Sequence, residues 1–152
     1  MRQEAEQRHV SLNTLANQIF ASFIEWEMNA NKAGWMILPK EVIKTVFNSM
    51  SDEKVTAMAS LAAVHAKEAN LAMKGVDSFD AYYSITKNRL ARSGFHLTEQ
   101  KSDNAVRLHI QHHMGEKWST YFKAQCQKVI EHHGHRCNII TTDNTVSVEV
   151  MR

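Results

Sequence analysis

Apolar residues in the first part of the chain recur at intervals of three and four, the spacing of one face of an α-helix. A short charged helix is predicted over about 2–8, and Ser11 is a favourable N-cap for a second helix. The apolar stripe of this second helix, from Leu12 to Trp26, is wider than one face. Such a width indicates a helix that is covered from two sides, as at a dimer interface. The expected interface residues are Leu12, Leu15, Ile19, Phe20 and Phe23.

Two further helices are predicted in the middle of the chain. Pro39 suits the first turn of a helix over about 40–50. Ser51 is a favourable N-cap for a longer helix, which is expected to end just before Gly75. Both helices carry apolar residues at helical spacing, so we expect each to pack against other elements.

The last half of the chain contains an internal repeat with an offset of 40 residues, and such repeats expose architecture directly. The matched pairs are Gly94 with Gly134, Asp103 with Asp143, Asn104 with Asn144, Val106 with Val146, Leu108 with Val148, and Ile110 with Val150. Each copy has the pattern helix, glycine, strand, Asp-Asn turn, strand. Because apolar and polar residues alternate along the strands, the sheet is expected to be covered on one face. The simplest arrangement places two helices on a four-stranded antiparallel sheet.

These patterns predict an α+β protein with three regions. Residues 1–33 form a helix pair that dimerises, residues 34–75 form a helical linker region, and residues 76–152 form an α+β domain with two α-β-β repeats.

Charge and composition limit the classes of function. The chain has 18 Lys and Arg against 16 Asp and Glu, and no segment is a polybasic arm of the kind that binds nucleic acid. DNA binding would therefore depend on geometry. Two cysteines are too few for a disulfide framework, and no apolar run reaches membrane-spanning length. We accordingly expect a cytoplasmic protein with no membrane partner.

The N-terminal stretch EAEQRHVSLNTLANQI, Glu4 to Ile19, resembles the two helices of the ribbon-helix-helix family. The resemblance covers about residues 2–28 and consists of a short charged helix, a tight turn and a second helix opened by Ser-Leu-Asn-Thr-Leu. It implies a homodimer that binds double-stranded DNA, with Ser11, Leu12 and Asn13 beside a backbone phosphate. A helix N-terminus can hold a phosphate without a lysine, through its N–H groups and dipole.

This sequence departs from the family pattern in two ways. His9 stands at the turn position that glycine often fills, and the ribbon strand that would read the bases is missing from the chain as numbered. Our hypothesis is a homodimeric DNA-binding or transcription-regulator-like protein with a C-terminal sensing or interaction domain. The alternative is a ligand-sensing, metal-sensing or assembly module without DNA readout.

Histidines suggest a transition-metal site as a further hypothesis, because six of the nine lie between residues 109 and 135. Strand and helix periodicity place His112, Cys126 and His133 on the same covered side, which makes them the first candidate ligand set. A second candidate set is His133, His135 and Cys137. The alternative is that these are ordinary core residues and histidines satisfied at the ends of elements.

The segment HHMGEKWS, His112 to Ser119, is similar to a His-x-x-Gly-x-Lys-Trp-Ser stretch in uncharacterised archaeal proteins with ribbon-helix-helix beginnings. Those proteins have no assigned activity to transfer. The sequence has no convincingly spaced pair of carboxylates, nucleophile elbow, glycine-rich phosphate loop or Cys-x-x-Cys motif. We therefore expect no enzymatic activity and no required cofactor.

Overall fold

A computed structural model describes residues 1–151, so Arg152, the last residue of the predicted C-terminal domain, lies outside the described residues. The chain divides into two compact units, Met1–Met36 and a second unit that begins at Ile37. The protein is α+β, with helices preceding a four-stranded antiparallel sheet, and the predicted fold class is confirmed. Among the described residues, no helix is both long and apolar enough to cross a membrane.

The N-terminal unit consists of a short helix and a long one. Helix α1 spans Arg2–Gln7 and helix α2 spans Leu12–Ser22. Helix α2 continues through a π-helical turn, Phe23–Glu27, into a last helical turn, α3, at Met28–Ala30. The predicted N-cap is present, since Ser11 Oγ accepts a hydrogen bond from the Thr14 N–H at 3.0 Å.

The turn between α1 and α2 is a Schellman motif, which ends a helix through a residue in the left-handed conformation. His9 is that residue, with φ of 54°. The Val10 N–H donates to the Ala5 carbonyl at 3.0 Å, and the His9 N–H donates to the Glu6 carbonyl at 3.1 Å. These two bonds satisfy carbonyls that the end of α1 leaves without helical partners. Glycine is the usual residue here because a side chain strains this conformation.

The second unit contains four helices, of which three precede the first hairpin and one lies between the two hairpins. Helix α4 spans Lys40–Ser49 and α5 spans Asp52–Lys74, while α6 spans Phe79–Arg92 and α7 spans Glu116–His132. Serine side chains cap both α5 and α6, at Ser51 and Ser78, and the cap at Ser51 is present as predicted. Helix α5 packs mainly along α7. The predicted linker region thus contributes both of its helices to the C-terminal unit.

The four strands form one antiparallel sheet in the order β1-β2-β4-β3. Strand β1 spans His96–Lys101, β2 spans Ala105–Gln111, β3 spans Arg136–Thr141 and β4 spans Thr145–Met151. The two hairpins lie side by side, with β2 and β4 paired in the centre.

The 40-residue repeat is present in the structure, and the two hairpins have equivalent strand pairing. Equivalent strands have equal lengths, and Gly94 and Gly134 follow the two helices with φ of 70° and 79°. The first hairpin pairs His96 with Gln111, and the second pairs the residues 40 positions later. In the centre, Leu108 lies opposite Val148, its own equivalent. The two copies are therefore related by a local two-fold axis that passes through the middle of the sheet.

One face of the sheet carries the core of the second unit. Along β2 and β4, buried apolar residues alternate with more exposed residues, as predicted. The core cluster includes Phe47, Val55, Phe79, Leu90, Leu108, Ile110, Trp118, Phe122, Ile130, Val146, Val148 and Val150. Because α4 and α5 contribute to this cluster, the sheet is covered by more than the two predicted helices.

Candidate functional site

A series of exposed apolar side chains in the N-terminal unit follows α2 and its π-helical continuation. Six large apolar side chains there are between 42 and 65% exposed: Leu12, Ile19, Phe20, Phe23, Ile24 and Met28. We call this set the α2 surface. Four of its members were expected at a dimer interface, and Ile24 and Met28 extend the same surface toward the C-terminal end of the helix.

Leu15 is the exception among the predicted interface residues. It is only 2% exposed, so within the single chain its side chain is buried rather than part of the exposed surface. Leu15 instead lies in the wall of a surface groove of about 250 Å³, together with Arg8, Gln18, Ile19, Ser22, Phe23 and Glu27. Sequence periodicity could not distinguish Leu15 from its neighbours, because both sides of this wide stripe are apolar.

The π-helical turn changes which residues share a face. The Met28 N–H donates to the carbonyl of Phe23, five residues earlier, and an additional residue is thereby accommodated in one turn. As a result Phe23 and Met28 are both exposed, while Trp26 and Ala30 are buried. The Trp26 ring lies 5.8 Å from that of Trp35, measured between centroids.

The predicted phosphate contact lies at the N-terminus of α2. Ser11, Leu12 and Asn13 are all exposed, and the N–H groups of Leu12 and Asn13 belong to the first turn, where no helical carbonyl can accept them. Positive charge is not concentrated nearby, since Arg8 pairs with Glu4 at 2.7 Å. The geometry therefore offers an anion contact that depends on the backbone rather than on basic side chains.

His112 is held in the core by two hydrogen bonds. It is fully buried; its Nδ1 accepts from the Met114 N–H at 3.0 Å, and its Nε2 lies 2.9 Å from Ser119 Oγ. Ser119 donates its own proton to the Thr142 carbonyl at 2.6 Å, so the imidazole must donate from Nε2 to the serine oxygen. Both ring nitrogens of a neutral His112 are thus in use, and neither is available to a metal.

Cys126 is likewise a core residue. The Tyr82 hydroxyl lies 3.3 Å from its Sγ, to which it donates, and burial raises the pKa of the thiol to about 12. A thiolate is the form that binds metals and attacks electrophiles, and this environment disfavours it. Cys126 therefore serves packing rather than chemistry.

The structure does not bring either predicted metal set together. Among the described residues, the one group of three His, Cys, Asp or Glu donors within 4.8 Å of one another is Asp77, His132 and His133. Of the predicted ligands, only His133 belongs to it. Burial, opposed by the charge of Asp77, lowers the pKa of His133. His135 instead packs on Phe79, with ring centroids 4.7 Å apart.

Sequence spacing does not single out Asp77 or His132, because it relates a histidine only to residues that are nearby or in phase with it. The internal repeat, however, does indicate that these residues approach one another. Two helices related by a two-fold axis across a sheet run antiparallel, so the start of α6 lies beside the end of α7. Asp77 immediately precedes the N-cap of α6, and His132 and His133 end α7.

Comparison with known proteins adds no family to these observations. No protein-family model matches the chain. No curated protein matches it significantly either.

Proposed function

We propose that this protein is a homodimeric DNA-binding regulator, in which the α2 surface joins two copies and the C-terminal unit provides a sensing or interaction domain. The observation that supports the proposal is the exposure of six large apolar side chains along one helical segment. Contiguous apolar patches on protein surfaces mark association sites. The ribbon-helix-helix resemblance of the same residues makes a second copy of this chain the expected partner.

The groove beside the α2 surface favours pairing of identical copies. Its apolar wall is bordered by Arg8 and Glu27, which carry opposite charges. In a two-fold dimer every contact occurs twice, so a surface with both an apolar side chain and a groove to receive it can be complementary to itself. Phe20 and Phe23 are aromatic residues of the type that concentrates binding energy at interfaces.

DNA contact in this proposal is made to the phosphate backbone by the N-terminus of α2. A dimer would present two such helix starts, each with the exposed N–H groups of Leu12 and Asn13. The nearly balanced charge of the chain implies weak binding with little sequence preference. Regulation of transcription would then require specificity from the C-terminal unit or from another partner.

The dimer is tested by placing a charge in the α2 surface. Phe20→Glu should leave the chain folded, because the side chain is exposed, and should raise the dimer dissociation constant at least tenfold by burying a carboxylate at the interface. Molar mass by light scattering and sedimentation measures the change. Leu61→Glu, a similarly exposed apolar position on α5, is the matched control. A monomeric wild type, or dissociation by Leu61→Glu alone, would refute the α2 interface.

The DNA contact has a separate test. Asn13→Asp places a negative charge in the first turn of α2, which suits the helix dipole but repels a phosphate. We expect binding to a random-sequence duplex, measured by fluorescence anisotropy across salt concentrations, to weaken about tenfold. Asn17→Asp, one turn later and also exposed, should change binding little. An intact dimer that does not bind duplex at low salt would remove DNA from the proposal and leave an assembly module.

A further inference from the structure

A group of three potential ligands lies where the start of α6 meets the end of α7. Asp77 precedes the N-cap of α6, His132 is the last residue of α7 and His133 is its C-cap. The side chains of Asp77 and His133 are 17 and 11% exposed, whereas that of His132 is 62% exposed. Asp77 and His133 are thus largely buried, whereas His132 is accessible to solvent.

The distances between the imidazole nitrogens and the Asp77 carboxylate suit a shared cation better than direct hydrogen bonds. His133 Nε2 lies 3.6 Å from Asp77 Oδ1, and His132 Nε2 lies 3.8 Å from Asp77 Oδ2. Both separations exceed those of N–H···O hydrogen bonds. In a tetrahedral site with metal–ligand distances of about 2.0–2.2 Å, neighbouring donor atoms are about 3.3–3.6 Å apart. The observed group therefore needs only small side-chain movements to enclose an ion.

A buried side chain holds the carboxylate in place. Asn70, on α5, is almost completely buried, and its Nδ2 donates to Asp77 Oδ1 at 2.9 Å. Residues behind the ligands commonly orient them in metal sites, and their loss weakens binding. Burial removes the Asn70 amide from water, and its hydrogen bond to Asp77 offsets part of that desolvation cost. Asn70 thus preorganises Asp77 for a ligand.

The internal repeat shows that this group is not a requirement of the fold. Forty residues before His132 and His133 the chain has Arg92 and Ser93, and forty residues after Asp77 it has Lys117. The two helices end alike, because the Phe95 and His135 N–H groups each donate to a helix carbonyl at 3.2 Å. Their starts differ, since α7 begins three residues earlier in the repeat than α6 does. The three potential ligands therefore occur in one copy of the repeat and are replaced by other residue types in the second.

We propose that Asp77, His132 and His133 bind a divalent transition-metal ion of the Zn²⁺ class. Two imidazoles and one carboxylate form a mixed nitrogen and oxygen donor set that suits Zn²⁺, Cu²⁺ and Ni²⁺ better than Mg²⁺ or Ca²⁺. Three protein ligands leave a coordination position for water or for a further donor. The site lies entirely within the C-terminal unit and does not depend on dimerisation or DNA binding.

The test uses Zn²⁺ with the full chain purified without a histidine tag. Isothermal titration should give one ion per chain for the wild type, and Zn²⁺ should raise its melting temperature, because an ion that binds only the folded state stabilises it. His132→Ala should weaken binding at least tenfold while leaving the fold intact, since this side chain is largely exposed. Asn70→Ala should weaken it about tenfold through loss of orientation.

His65→Ala is the matched control. His65 Nδ1 lies 2.9 Å from Glu68 Oε2 on the exposed side of α5, so it forms a histidine and carboxylate pair outside the group of three. Its removal should leave Zn²⁺ stoichiometry and affinity unchanged. A wild type that takes up no Zn²⁺, or a His132→Ala variant that binds as tightly as the wild type, would overturn the proposal. If Zn²⁺ binds but Mg²⁺ binds equally well, the assigned metal class is wrong.

Discussion

His112 illustrates how a single buried side chain can make stability depend on pH. Its imidazole is neutral and uses one nitrogen as acceptor and the other as donor, so protonation would place a second donor against the Met114 N–H. Burial, with the neighbouring charges of His113 and Lys40, lowers the pKa of His112 to about 4. The same side chain in the unfolded chain titrates near 6.5.

From this pKa we predict a loss of stability in mild acid. The group stabilises the folded state fully above pH 6.5, and its contribution is lost as the pH falls toward 4, because only the unfolded chain takes up the proton in that range. The free energy of unfolding should fall by about 3 kcal/mol between pH 7 and pH 4 from this residue. Urea unfolding at pH 7, 5.5 and 4 measures it. His112→Gln should remove most of this dependence of the free energy of unfolding on pH, and His65→Gln should not. If the wild type and both variants depend on pH equally, the proton is taken up by a residue other than His112.

At the level of elements, the turn between α1 and α2 combines a regular hydrogen-bonding pattern with an unfavourable residue. The Schellman bonds are formed, yet the left-handed position is occupied by His9. His9 is also one of the two departures of the sequence from the ribbon-helix-helix pattern, in which glycine often fills this turn position. The backbone therefore adopts the turn in spite of the side chain.

We predict that His9→Gly stabilises the N-terminal unit by about 0.5–1 kcal/mol, because relief of left-handed strain outweighs the added freedom of the unfolded chain. Thermal unfolding followed by tryptophan fluorescence should report it through Trp26 and Trp35. Arg8→Gly is the control, because Arg8 has φ of −87° and pairs with Glu4. That variant should lower stability, and a lower stability for His9→Gly would show that its side chain makes an important contact.

At the level of the whole molecule, each compact unit has its own buried apolar residues. In the N-terminal unit these include Leu15, Trp26 and Ala30, whereas the second unit has a continuous core between its helices and sheet. The unit from Ile37 onward contains every strand of the described chain and both copies of the repeat. It therefore meets the structural conditions for folding alone.

Accordingly, we expect a chain that begins at Ile37 to remain folded and to lose self-association. Circular dichroism should show a cooperative thermal transition, and light scattering should give a monomer. Zn²⁺ binding should persist in this shortened protein, because all three proposed ligands remain. A shortened chain that still dimerises would move the interface to the second unit, with the exposed apolar residues of α5 as its first candidate.

Prediction from sequence succeeded where local spacing determines structure and failed where distant segments meet. The N-caps at Ser11 and Ser51, the Asp-Asn turns and the alternation in β2 and β4 depend on residues within a few positions. The π-helical turn was not predicted, because the apolar residues around it fit a regular helix almost equally well. Leu15 was assigned to a partner although its own chain covers it.

The candidate metal site shows the same division between local and tertiary information. The sequence by itself determined that histidines cluster at the end of α7 and that the last half of the chain is a repeat. Only the tertiary structure decided that His112 and Cys126 lie in the core and that Asp77 approaches His132 and His133. The reason is physical: helix and strand periods specify faces within an element, whereas the identity of the neighbour on that face depends on how the elements pack.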